Sequence, residues 1–524
     1  MKKFYITTAI DYANSKPHAG HAYEKVISDI TARYKRLRGC DVYFCTGTDE
    51  HSLNVAAKAK ELGKDPKAFC DEMAVSFREL CSLYNISITD FIQTTEPRHE
   101  KSVSKLFEAI EKAGDIYKDH YEGWYCRSCE AFYTPAELTE DKLCKVHGIK
   151  ADLIKEENYF IRLTKYTEKL RAMIESGEFM INPETRRNEI LSMLKQGFRD
   201  ISVSRSGAGW GIKLPGDPGQ TVYVWFDALI NYITAAGYAT DEAKFGKWWP
   251  ADLHVIGKDI IKFHCIIWPI MLMSAGLKLP GEIYAHGFLL NRGEKMSKTK
   301  GNVVDPIEMA NRYGADAIRY YFAAKVINGD DGEFNEEAIK LGFNTDLAND
   351  LGNLVSRSNN MVEKYCAGAA PALHTEAMDD KMKALEDRAK ALWGAYSAAM
   401  DKYDFSGAMS EVFRLTGTAN KLIEDEAPWK LQKEGKQKEL ESVLNLLLET
   451  IRLASVALSP VMPATAPKIW EKLGLDYKME SLDMEKEMKY GFSWYGVRVS
   501  KGEALFPRIV GEKEKQDSAA RVKK

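Results

Sequence analysis

Residues 4–10 alternate β-branched and aromatic side chains in the two-residue rhythm of a strand. Asn14, Ser15 and Pro17 then break the chain, and Val26, Ile27, Ile30, Tyr34 and Leu37 follow at the spacing of an amphipathic helix. Residues 41–46 form a second strand pattern and 58–83 carry helical periodicity, so the chain opens as βαβ and predicts a parallel sheet. Between about 117 and 205 the pattern changes. A turn-rich, cysteine-bearing piece precedes a partly helical segment with Phe160, Leu163, Leu170 and Ile174, which reads as an insertion. The α/β pattern resumes with short strands expected at 221–226, 252–256 and 282–285. Beyond about 344, apolar residues recur at helical spacing over 382–400, 411–424 and 439–458, predicting an all-helical C-terminal region. The polar tail after 506 is expected to fray.

At 524 residues the chain exceeds what one core organises, so three or four folded units are expected. A formal net charge of -3 excludes binding that coats nucleic acid through global positive charge, leaving local basic patches for any RNA contact and giving no reason to expect DNA. No apolar run reaches the roughly 18–20 residues that span a bilayer. The N-terminus MKKFYITTAI runs directly into polar residues, so a cytoplasmic protein without membrane attachment is expected. Cys40, Cys45, Cys70, Cys81, Cys265 and Cys366 are scattered without pairing logic and read as reduced thiols.

Two motifs carry chemistry. Pro17-His18-Ala19-Gly20-His21 falls where a βα turn meets a helix N-terminus, at the carboxyl edge where open α/β sheets bind ligands. There a glycine admits a planar ligand, the helix end favours phosphate and two imidazoles can donate to phosphate oxygens. Gly293-Glu294-Lys295-Met296-Ser297-Lys298-Thr299-Lys300-Gly301 is a glycine-bounded loop whose lysines can converge on a polyphosphate and close over it. Alone, either is more often a solvated surface feature. Together, in this order around an interrupted α/β domain, they resemble the HIGH and KMSKS signatures of class I aminoacyl-tRNA synthetases. Ala19 stands where a bulky aliphatic is usual and Thr299 where the last serine is. The resemblance implies that His18 and His21 stabilise ATP phosphates while Lys295 and Lys298 stabilise the transition state and the leaving pyrophosphate.

The blocks Thr8-Ala9-Ile10-Asp11-Tyr12, Thr46-Gly47-Thr48-Asp49-Glu50-His51, Val222-Tyr223-Val224-Trp225-Phe226-Asp227-Ala228 and Ile256-Gly257-Lys258-Asp259-Ile260 with Phe263-His264 are similar to those of the methionyl-tRNA synthetase family. A thioether side chain lacks a strong hydrogen-bonding handle and needs a shaped pocket with sulfur–aromatic contacts. Tyr12, Trp225, Tyr232 and Trp268 can supply its walls, although an isolated aromatic is more often core. The resemblance implies that Ala9, Ile10 and Asp49 lie around the amino acid's backbone, that His264 lies near the thioether, and that Ala228 and Ile260 complete the pocket. It also implies that Gly20, Glu24, Gly257 and Asp259 face the nucleotide. Ser52, Leu229 and Asp11 depart from the family pattern.

Cys126-Arg127-Ser128-Cys129 and Cys144-Lys145-Val146-His147 pair a CxxC with a CxxH, the ligand set of a closed tetrahedral zinc site that fastens a small module. In the family such a knuckle sits in the connective peptide. Asn353-Leu354-Val355-Ser356-Arg357 and Glu426-Ala427-Pro428-Trp429 resemble the family's anticodon-reading segments, placing Asn353, Arg357 and Trp429 against a CAU anticodon. An aromatic face, a guanidinium and an amide are what single-stranded bases are read by.

The expected fold is α/β: a Rossmann-like parallel-sheet catalytic domain over 1–116 and 206–325, interrupted by a zinc-knuckle connective insertion over 117–205. A stem-contact linker at 326–344, an all-α anticodon-binding domain at 345–508 and a flexible tail at 509–524 follow. The expected activity uses ATP with Mg²⁺ and L-methionine to form methionyl-adenylate, then transfers methionine to tRNA(Met); one structural Zn²⁺ and a monomer are expected. The rivals are another class I synthetase for a small apolar amino acid, disfavoured for the branched aliphatics by the lack of a large editing insertion, and a silent tRNA-binding paralogue, which would be expected to lose the histidines or lysines.

Overall fold

The computed structural model describes residues 1–127, 131–133, 135–145, 148–207, 209–296, 301–476 and 478–509. By internal contacts the chain forms two compact units, one comprising 1–28, 40–82 and 86–287, the other 29–39, 83–85 and 288–524.

The first unit is built on a seven-stranded sheet. Its strands are β1 (Lys3–Thr8), β2 (Asp41–Asp49), β3 (Asp90–Gln93), β4 (Met180–Asn182), β5 (Leu253–Gly257) and β6 (Glu282–His286), with the short strand Asp11–Tyr12. Helix α1 (Ala19–Leu37) links β1 to β2. The path runs β2-β1-β5-β6-β4, with β3 and Asp11–Tyr12 both on β2, and every pairing is parallel. β1 and β2 read as near-continuous buried runs, as a sheet covered on both faces requires. β1 lies between β2 and β5, so the connections leave it in opposite directions and open a crevice at its carboxyl end.

The structure departs from the sequence pattern in three places. The helical periodicity over 58–83 is two helices, Leu53–Glu61 and Pro66–Leu83, because Gly63 takes φ +64° and Pro66 begins the second. The strand expected over 221–226 ends at Val222, and a helix, Val224–Leu229, starts after the extended Tyr223. Its apolar run fits a fully buried helix as well as a strand, and all six residues are buried. Met180–Asn182, inside the stretch read as an insertion, is the outer strand of the main sheet beside β6.

The rest of that stretch holds the helices Thr167–Ser176 and Glu184–Gln196 and an antiparallel sheet in which Ile116–Cys126 pairs Asp152–Ile161 along nearly its whole length, flanked by Ala131–Tyr133 and Ile201–Ser202. The second unit is dominated by the helices Asp380–Met400, Phe405–Glu426 and Gln437–Leu458, the last buried on all sides from Ser442 to Leu458. No described helix is long and apolar enough to cross a membrane.

Candidate active site

The segments leaving the carboxyl ends of the strands wall the crevice. After β1, Ala9 N–H donates to Val255 O at 3.0 Å, and Asp11–Tyr12 pairs with Thr48–Asp49. After β5, the missing side chain of Gly257 leaves room for Asp259, whose Oδ1 would lie 2.6 Å from a Cβ there. The exposed Asp259, the half-buried Ile10 and Ile260, and the buried Ala9 and Asp49 thus share one edge of the sheet.

His18 precedes the first turn of α1 and is exposed, and its backbone N–H donates to His21 Nδ1 at 3.2 Å. The two rings stack at 3.6 Å and 14°. A side chain on Gly20 would meet His18 Cε1 at 3.1 Å, so glycine lets the ring fold back over the helix end. Burial and the Lys25 ammonium hold the His21 pKa well below the usual imidazole value, so the ring is neutral. One turn on, the buried Glu24 meets His286 Nε2 at 3.1 Å; burial raises its carboxyl pKa against the lowering pull of His286 and Lys25.

The aromatic wall forms from three segments. Tyr12 meets Trp225 edge-on at 6.1 Å, and Trp225 stacks on Phe263 at 3.6 Å and 6°, with Ile260 against the cluster. Phe263–Ile267 is a single π-helical turn, a widened geometry that recurs at functional sites, and it carries His264. His264 Nδ1 contacts Ile260 O at 3.0 Å and so carries the proton, leaving Nε2 to accept from the Tyr232 hydroxyl at 2.6 Å. Burial lowers its pKa to about 4 against the raising effect of the Ile260 carbonyl. Tyr232 in turn stacks on His254 at 4.2 Å and lies 5.9 Å from Trp268. Ala228, buried one turn before Tyr232, accepts from Asn231 Nδ2 at 2.7 Å.

Several groups at this edge escaped the sequence reading. Asp227, fully buried, binds His51 Nδ1 at 2.7 Å and His99 Nε2 at 2.6 Å. Burial would raise its pKa, but the two imidazoles hold it down to about 2. His51 is held above its usual value, the pull of Asp227 outweighing burial. Trp210 caps His51 edge-on at 5.6 Å. The anomalous Asp11 pairs with Lys25 at 2.6 Å, both buried. His51 and Asp227 both lie in the motif blocks, yet 176 residues separate them, so only the fold makes them partners.

Of the expected zinc ligands, Cys126 ends the long strand Ile116–Cys126 and Cys144 sits in a bridge with Leu138; both are buried. Cys129 and His147 lie outside the described residues, among which no group of three or more His, Cys, Asp and Glu side chains can hold a metal. Two buried thiols in the module fit half of a closed Cys₃His set. Glu137 of this module meets Lys262, in the turn before His264, at 3.1 Å.

In the second unit, Lys295 lies on the exposed strand Glu294–Lys295, its ammonium 4.5 Å above the Phe288 ring; Lys298 lies outside the described residues. Asn353 and Arg357 are one turn apart on Asn353–Tyr365 and share a face. Ala427 takes φ 43° and Pro428 opens the short helix Pro428–Glu434, leaving Trp429 46% exposed. Both helices pack on Gln437–Leu458.

Comparison with known proteins accounts for nearly the whole chain. The family described as tRNA synthetases class I (M) matches residues 4–141 and 129–359, and the anticodon binding domain of methionyl tRNA ligase matches 373–523. The methionine–tRNA ligase of Caldanaerobacter subterraneus subsp. tengcongensis is 47% identical over 517 residues, 98% of this chain and 80% of that protein. That of Synechocystis sp. is 43% identical over 502 residues, 94% of each. The structure of Mycobacterium tuberculosis methionyl-tRNA synthetase in complex with methionyl-adenylate superposes with a TM-score of 0.92 at 41% identity, covering 97% of this chain and all of that one. A parallel-sheet α/β unit with crevice-edge histidines, followed by a helical anticodon-type region, is thus matched in sequence and in shape, and the chain belongs to the methionine–tRNA ligases of the class I tRNA synthetases.

Proposed function

We propose that this chain performs the methionine–tRNA ligase reaction at the crevice beside β1 and β5. Methionine's carboxylate oxygen attacks the α-phosphorus of ATP, the bond to the bridging oxygen breaks, and pyrophosphate leaves; the ribose 2′-hydroxyl of the tRNA 3′ end then attacks the carbonyl and AMP departs. Catalysis is positioning and charge stabilisation.

His18 and His21, with Gly20, take the ATP phosphates, while Glu24, Gly257 and Asp259 face the nucleoside. Mg²⁺ accompanies ATP and offsets phosphate charge. Asp49, with Ala9 and Ile10, holds the ammonium group; Tyr12, Trp225, Ala228, Ile260, Tyr232 and His264 enclose the side chain. Lys295 and Lys298 neutralise the departing pyrophosphate. Cys126, Cys129, Cys144 and His147 hold a structural zinc that fastens the connective module. Asn353, Arg357 and Trp429 read the CAU anticodon of tRNA(Met), and the chain works as a cytoplasmic monomer.

The observation that carries the amino-acid assignment is the neutral His264, proton on Nδ1, whose Nε2 holds the Tyr232 hydroxyl inside an aromatic box. That box offers polarisable aromatic faces to a thioether. The test is ATP–pyrophosphate exchange with each of the twenty amino acids. Exchange with methionine alone supports the reading; exchange with another amino acid overturns the pocket assignment, and none from folded, zinc-loaded protein favours a silent tRNA-binding paralogue. Lys298→Ala should depress adenylate formation far more than methionine binding, and equal loss of both would contradict its role.

A further inference from the structure

Asp11 is a carboxylate beside a site assigned to polyphosphate. Its backbone is fixed opposite Thr48, and its side chain is 4% exposed. Lys25, 1% exposed, reaches it at 2.6 Å and stands 4.0 Å from Glu24. His21 Nδ1 already accepts the His18 backbone N–H, so the proton of the neutral ring sits on Nε2, 3.7 Å from Asp11 Oδ1. The His21 ring is further held edge-on by Phe77 at 5.2 Å and carries the His18 ring stacked on it.

We infer that Asp11 and Lys25 are positioning residues for the activation step: the carboxylate orients His21, and through it His18, while the ammonium cancels the charge that would otherwise repel ATP. This rests on the placement of the ATP phosphates at His18 and His21. The two partners then have separable duties. Orientation belongs to Asp11, acting on the dipole of the Nε2–H bond across 3.7 Å. Neutralisation belongs to Lys25: burial raises the Asp11 pKa and the ammonium pulls it back down, so Lys25 both keeps the carboxylate ionised and cancels its charge toward the phosphates. Lys25 remains charged, because Asp11 and Glu24 outweigh the lowering effect of burial on its pKa.

The division predicts a rescue that a packing role does not. Methionine-dependent ATP–pyrophosphate exchange is measured on the full chain while ATP and methionine are varied separately, with thermal melting as the folding control. Lys25→Met should raise KM for ATP about tenfold or more and leave KM for methionine within about twofold. Asp11→Asn should leave KM for ATP at or below wild type, because the ammonium is then uncancelled, and lower kcat about tenfold. The double variant should recover the wild-type KM for ATP while keeping the Asp11→Asn deficit in kcat. If Lys25→Met does not fold, Asp11→Asn and the double variant still decide, because neither may raise KM for ATP and both must show reduced kcat. An unchanged KM for ATP in folded Lys25→Met, a double variant with a raised KM, or loss confined to the melting temperature overturns the inference. Wild-type protein that exchanges with methionine while the variants match it defeats this inference alone; wild-type protein that fails to exchange defeats the underlying site assignment.

Discussion

In the unit that holds the crevice, buried charge stands at the ligand edge of the sheet: Asp227 between His51 and His99, and Asp11 against Lys25. In the helical unit, buried charge ties chain segments together. Glu449 accepts from Arg452, from Trp494 Nε1 at 3.0 Å and from Gly491 N–H at 2.9 Å. Arg319 pairs with Asp29 at 2.7 Å and donates to the carbonyls of Tyr84, Pro460 and Val461. Of the residues assigned there to anticodon reading, Asn353 and Trp429 are exposed and Arg357 is half-buried. Under the proposed function, the contrast reflects the ligands. A small molecule enclosed by protein needs dry groups whose protons and rotamers are already set, whereas a flexible RNA loop brings its bases to readers that must remain accessible.

Breaking the crevice network should cost most. Asp227→Ala leaves two imidazoles buried without their carboxylate, and urea denaturation should show a loss of about 3–5 kcal/mol. A loss under about 1 kcal/mol would mean that the network is not needed for the fold.

The protonation of His264 gives the next effect. Its folded pKa is lowered to about 4, below an unfolded value near 6.5, so between these limits the unfolded chain binds more protons. The neutral ring therefore contributes its full share above about pH 6.5 and loses about 3 kcal/mol as pH falls to about 4, an order-of-magnitude figure. Comparing wild type with His264→Gln by denaturation across this range should reveal a pH-dependent difference; parallel curves would refute the assignment.

For the exposed readers the prediction reverses. Trp429→Ala should lower tRNA charging by about ten- to a hundredfold, the worth of one base stack of about 1–3 kcal/mol, while methionine-dependent pyrophosphate exchange stays unchanged. Loss of both activities together would erase the distinction between the two regions. The smallest effect concerns Ser52. Its Oγ caps the helix Leu53–Glu61 by accepting Val55 N–H at 3.0 Å, so Ser52→Ala should cost about 1 kcal/mol in thermal unfolding with little change in exchange.

Much of this was legible in order along the chain. The βαβ opening, the glycine beside the paired histidines and the apolar spacing of the C-terminal helices are local signals, and each matches the elements found. The Val224–Leu229 helix was not legible, because a short buried apolar run has no period that separates strand from helix. Nor was the meaning of Asp11, which as a letter only departed from a pattern and in space is half of an ion pair.

What the sequence by itself determined was the set of chemical groups and the elements that carry them, because periodicity, turn residues and short motifs act over a few residues. The tertiary structure alone decided which groups became partners and which proton each imidazole keeps. His51 reaches Asp227 across 176 positions, and His264 owes its Nδ1 proton to a carbonyl and its bare Nε2 to Tyr232. Burial and partner geometry set those states, and both arise only when distant segments pack against one another.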